Sequence, residues 1–340
     1  MKKINYIKYL SVISSLAVVI LHTNGCFWIF NKENYWISAN IIESICYFAV
    51  PIFFMITGCT LIDYNERYST KEYFTKRIKK TLVPFIIWSI FSIIWCIYFK
   101  NESINTNIFS MINGIINTKY NSIYWFFPCL FSIYLVIPFI ASTKKEQRQS
   151  IFKYSIIITF IFNSMLPLIA KILNIEYNSA YYLPTFMGYV IYILLGYYLN
   201  NYEIKKSKRI LIYSLGVIGL LTQIIMTQVL SFKNGFIVTT YKDYLNVPTI
   251  LYSSAIFLFF KNIKNKKILK CLDYLISKID DTTFGIYLIH YYLIDIAIKT
   301  INVNIFSIYY RVLGGVIIFL VSAIIVKIMK KIPIIEKCVP

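Results

Sequence analysis

The chain has 340 residues, of which 58% are hydrophobic, 18% aromatic and only 15% charged, with a net charge of +20. Soluble domains carry roughly 25% charged residues, and here the charges gather between apolar runs long enough to cross a bilayer. A soluble enzyme is excluded. So is a nucleic-acid binder, because no basic segment is longer than a loop. The lysines fit short loops that orient helices and touch anionic lipid head groups.

Ten apolar segments follow in chain order, at about 6–27, 40–62, 81–99, 122–141, 151–172, 182–200, 208–230, 247–261, 279–299 and 305–330. About twenty residues suffice for a membrane-crossing helix. The pattern therefore predicts an all-α, polytopic transmembrane bundle of about ten helices, a single integral membrane domain over residues 1–340. Most of the 35 lysines and arginines fall in the N-terminal flank, in alternate connections and in the C-terminal flank. Lys32, Lys100, Lys119, Lys171, Lys233, Lys242, Lys299 and Arg311 lie in the opposite set. This asymmetry predicts both termini in the cytoplasm and a multi-pass protein of the cell membrane. Lys2 and Lys3 ahead of an apolar run resemble a signal peptide, but no small-residue cleavage pattern follows, so the run reads as a helix. The seven cysteines are scattered with no Cys-x-x-Cys pair, which indicates neither a disulfide framework nor a metal site. No internal repeat is visible.

The first segment carries His22, an imidazole inside the membrane and so a candidate functional group. At roughly 100° per residue, Ser11 and Ser15 fall within about 20° of His22 and Lys8 within about 40°. Such a polar stripe belongs against the bundle interior or a wet cavity. Lys8 also reads as a positive-inside anchor. In the second segment Glu43 stands about one turn inside the outer end. The short connection makes the two helices antiparallel neighbours, so a contact from Glu43 that orients His22 is feasible; an interfacial carboxylate reaching water is the alternative. Pro51 in mid-segment predicts a kink, and Gly58 predicts close approach of a neighbour.

Lys76, Arg77, Lys79 and Lys80 form a dense cationic cluster suited to phosphates, which ordinary topology and lipid contact explain equally well. In the ninth segment His290 is the second intramembrane histidine, with Asp295 toward the outer end. Both histidines fall in the middle-to-outer part of the membrane. One shared site and a separate, hydrogen-bonded packing histidine are both compatible with that.

With these residues assembled, the chain resembles the acyltransferase 3 family of integral membrane acyltransferases over nearly its whole length. The resemblance rests on Leu16 to His22, Val50 to Gly58, Lys76-Arg77-Ile78-Lys79-Lys80 with Pro84, Tyr124-Trp125-Phe126 with Pro138, Leu194 to Tyr198, and Gly285 to His290. It implies transfer of an acyl group, commonly acetyl, from a cytoplasmic acyl-CoA co-substrate (acetyl-CoA) to a hydroxyl of a surface polysaccharide, a lipid-linked glycan or a related acceptor. His22 maps onto the family's catalytic histidine. The basic residue expected eleven positions earlier is Ser11 here, with Lys8 the nearest cation on that face, and the serine expected before the second-helix glycine is Thr57.

On these grounds His22 is expected as general base or acyl relay, with Glu43 as its orienter. Lys76, Arg77, Lys79 and Lys80 are expected at the donor's phosphates, and Lys8, Ser11, Thr57, Trp125 and His290 around the substrates. A membrane carrier or exporter, with the histidines in a proton-coupled path, is the rival reading; ten helices without a repeat weigh against it.

Overall fold

The computed structural model describes residues 5–183, 188–263, 273–274 and 276–340. Among the described residues it is all-helical, 78% helical with no strands. Seven stretches are long and apolar enough to cross a membrane: Tyr6–Thr23, Asn34–Glu66, Thr70–Tyr98, Ser122–Ala141, Lys145–Leu173, Lys206–Asn234 and Tyr310–Lys330. The other three apolar segments of the sequence form shorter described helices of 12, 16 and 17 residues, at Val190–Asn201, Val247–Asn262 and Thr283–Lys299. The lysines between 264 and 270, part of the charge asymmetry, lie outside the described residues.

The first helix, α1 (Asn5–Thr23), is the hub. It packs against α2 (Asn34–Cys46), α3 (Ala49–Leu61), α12 (Val247–Asn262), α13 (Thr283–Lys299) and α14 (Gly315–Lys330). Leu10, Val19 and Ala17 are buried on it, and so are Ser14 and Ser15. A helix surrounded by other helices keeps its polar stripe away from lipid, as the first segment's pattern requires.

The second apolar segment departs from the expected kink at Pro51. It breaks at Tyr47–Phe48 into two helices, α2 and α3, and Pro51 is the third residue of the second. Proline lacks an N–H and its ring crowds the carbonyl four residues back, which is that of Tyr47. The chain resolves this by ending one helix there, where a first-turn proline needs no partner. Downstream, a Cβ on Gly58 would lie 2.0 Å from the Ile193 carbonyl oxygen. One on Gly196 would lie 2.0 Å from that of Met55. The two glycines thus let α3 and α10 (Val190–Asn201) touch backbone to backbone, the close approach anticipated at Gly58.

Candidate active site

Two cavities meet at His22. The first, about 180 Å³, runs beside α1 from Ser11 to His22, about 16 Å along the helix axis, and is walled mostly by apolar side chains such as Val18, Val50, Phe53 and Phe126. The second, about 500 Å³, opens beyond the C-terminal end of α1 and is lined by Gly25, Trp28, Glu43, Tyr47, Ser122 and Tyr291. Leu21, His22, Ile123, Trp125 and Tyr244 belong to both walls. His22 is therefore the one imidazole in the partition between a narrow apolar chamber and a wider, more polar one.

The partition is an aromatic stack. The Tyr244 ring lies 4.3 Å from that of Tyr47 and 5.5 Å from that of Trp125, nearly parallel to both. On the other side, α13 brings in His290, wholly buried, so that His22 Nδ1 stands 2.7 Å from His290 Nε2. His290 Nδ1 lies 2.9 Å from the Ile286 carbonyl oxygen one turn back. Tyr291 meets His22 edge-on, with ring centroids 5.9 Å apart.

Glu43 and His22 both line the wide cavity. No hydrogen bond joins them among the described residues; Glu43 Oε2 instead accepts from Asn24 Nδ2 at 3.2 Å, and Asn24 also donates to the Ala39 carbonyl. Asn24, the residue after the end of α1, thus reaches across to α2. Behind the carboxylate stand two buried cations. Arg311 donates to Asn24 Oδ1, Ser38 Oγ and the Tyr35 carbonyl, and Lys242 Nζ donates to Asn40 Oδ1 at 2.6 Å. Burial pushes the Lys242 ammonium below the ordinary lysine range, and the Glu43 charge opposes that shift.

The remaining expected residues separate into those at the cavities and those away from them. Ser11 lines the narrow cavity and donates to Thr283 Oγ1 at 3.2 Å. Trp125 lines both cavities. Lys8 is outside both walls, paired with Asp280 at 2.5 Å. Thr57 returns its hydroxyl to the Phe53 carbonyl at 2.9 Å, one turn below the cavity-lining Phe53. The cationic cluster stands apart from both cavities. Lys76 pairs with Glu72 at 2.7 Å, and the Arg77 guanidinium lies over the rings of Tyr73 and Tyr134 with its Nε unpaired. Lys79 and Lys80 are exposed on a wide helical turn, Ile78–Leu82. Among the described residues no group of three or more His, Cys, Asp or Glu is placed to hold a metal ion.

A family model described as "Acyltransferase domain" matches residues 4–327. The chain belongs to the acyltransferase 3 family. No curated protein and no solved structure shows a significant match to it. With its apolar helices, the family marks this acyltransferase as a membrane protein. Sequence reading missed Asn24, Asn40, Lys242, Arg311 and Tyr244 in this acyltransferase's candidate site. One signal was present: Arg311 sits inside the tenth apolar segment, where an uncompensated charge is costly.

Proposed function

We propose that the chain is a multi-pass O-acyltransferase of the cell membrane, with ten spans and both termini in the cytoplasm. It moves an acyl group, acetyl in the simplest case, from a cytoplasmic acyl-CoA to a hydroxyl of a surface polysaccharide or lipid-linked glycan. The observation that carries this reading is the position of His22 in the wall common to both cavities. With the N-terminus of α1 cytoplasmic, the narrow chamber faces the donor's side and the wide one faces the acceptor's. Lys76, Arg77, Lys79 and Lys80 draw the donor's phosphates to the cytoplasmic surface by charge.

In the transfer, the acceptor hydroxyl oxygen attacks the thioester carbonyl carbon while His22 takes the hydroxyl proton. The tetrahedral intermediate then collapses. The C–S bond breaks, and the imidazolium returns the proton to the departing thiolate. The Trp125 indole N–H and the Tyr244 hydroxyl, both in the partition, are the donors available to the developing oxyanion. Glu43, held by a hydrogen bond from the buried Asn24, stands in the wall on the acceptor's side.

The test is a mass comparison of surface glycans from cells with and without the intact gene. Loss of an acyl increment in the deletion supports the reading. Unchanged glycans, together with transport of a small molecule that needs no acyl donor, would replace it by the carrier reading.

A further inference from the structure

The His22–His290 contact has a direction that hydrogen-bond chemistry fixes. The Ile286 carbonyl oxygen can only accept. His290 Nδ1, 2.9 Å away, therefore carries a hydrogen. In an uncharged imidazole the other nitrogen is then an acceptor, so His290 Nε2 presents a lone pair. Facing it at 2.7 Å is His22 Nδ1. Two lone pairs would repel at that distance, so His22 Nδ1 must be the donor. His22 Nε2 is left with a lone pair and has no partner among the described residues.

The ring geometry supports a true hydrogen bond rather than face-to-face packing. The planes differ by 12° and the centroids are 5.0 Å apart. That separation is close to the contact distance plus two ring radii. The rings consequently meet edge to edge in nearly one plane, the alignment that an N–H···N bond requires. His290 is wholly buried, so water does not compete for its nitrogens. Its anchor is four residues back on its own helix, and the chain of donors is thus built into α13.

We infer that His290 is a positioning residue that holds His22 as the Nδ1–H tautomer, leaving Nε2 as the basic nitrogen at the partition between the two cavities. The role is that of the buried carboxylate in a serine hydrolase triad, which fixes the tautomer and orientation of its histidine. Here a neutral imidazole tied to a backbone carbonyl fills it, without adding a buried charge. When His22 Nε2 takes the acceptor's proton, the Nδ1–H···Nε2 bond to His290 persists and steadies the imidazolium until the thiolate reclaims the proton. The consequence for rate rests on the acyltransferase reading above; the tautomer itself does not.

The experiment separates the two. The chain has two histidines, so nitrogen-15 spectra of histidine-labelled protein in lipid nanodiscs contain two rings, assigned with His290→Gln. The expected spectrum shows both uncharged rings protonated at Nδ1; a hydrogen on Nε2 of His22 overturns the inference. Acetyl-CoA consumption gives the second readout. A glutamine places its amide oxygen where Nε2 of His290 stands and can accept from His22, whereas asparagine reaches only the Nδ1 position. His290→Gln is expected within about threefold of the unmodified protein, and His290→Asn on the order of a hundredfold lower in kcat with KM little changed. Equal activity of the two variants would show that His290 is packing alone. If the unmodified protein consumes no acyl-CoA, the acyltransferase reading fails while the spectrum still decides the tautomer.

Discussion

Ser11 Oγ lies 3.2 Å from Thr283 Oγ1 at the end of the narrow cavity, about three turns of helix from His22. A hydroxyl pair therefore stands where the family pattern leads one to expect a cation. Lys8, the nearest positive charge, is one turn further on, bound to Asp280 and outside the cavity wall. A half-exposed ion pair contributes little, at most about 1 kcal/mol. Lys8→Met should thus change acetyl-CoA consumption by less than about threefold. A loss of activity comparable to that of a His22 variant would make Lys8 the substitute for the missing base.

The cluster of Lys76, Arg77, Lys79 and Lys80 is expected to act on donor binding alone. The Arg77 guanidinium lies over two tyrosine rings with its Nε unpaired, and Lys79 and Lys80 are exposed. Arg77→Gln combined with Lys80→Gln should raise KM for acetyl-CoA by about tenfold with little change in kcat, and weaken its salt dependence. Steady-state kinetics at two ionic strengths check this. An equal fall in kcat would instead place these residues at the reacting atoms.

The wall behind Glu43 predicts energetic coupling. Lys242 and Glu43 share a buried environment through Asn40 and Asn24. Removing one charge should leave the other uncompensated. Lys242→Met and Glu43→Gln should each lower stability by on the order of 2 kcal/mol, and the double variant by clearly less than the sum. Thermal unfolding of the four proteins in one detergent measures the difference. Strict additivity would mean that the two groups do not sense each other.

At the α3–α10 contact there is no room for a side chain, because the Ile193 carbonyl already occupies the place of a Cβ on Gly58. Gly58→Val should cost about 1–3 kcal/mol, read as a lower Tm and less folded protein in the membrane. Tm unchanged from the parent would show that the two helices separate freely.

Apolar run length made the helical membrane architecture legible, since it arises from local transfer energies. His22 and Gly58 were visible for the same reason: each is unusual in its own segment. The neighbours of His22 were not. His290 is 268 residues away, and whether it meets His22 depends on how α13 rotates against α1, which no local pattern encodes. Glu43 and His22 both stand near one short connection, yet the hydrogen bond that Glu43 accepts comes from Asn24. Lys242 and Arg311 entered the charge count like any loop cation. Counting charge does not distinguish a side chain in water from one buried against Asn40 or Asn24.

The most direct test of acyl transfer at His22 is His22→Gln, which keeps side-chain volume and removes the base. Surface glycans of cells expressing this variant at the parent level should lose the acyl mass increment that the unmodified protein adds, with membrane insertion intact. An undiminished increment on every polymer the unmodified protein modifies would contradict the account.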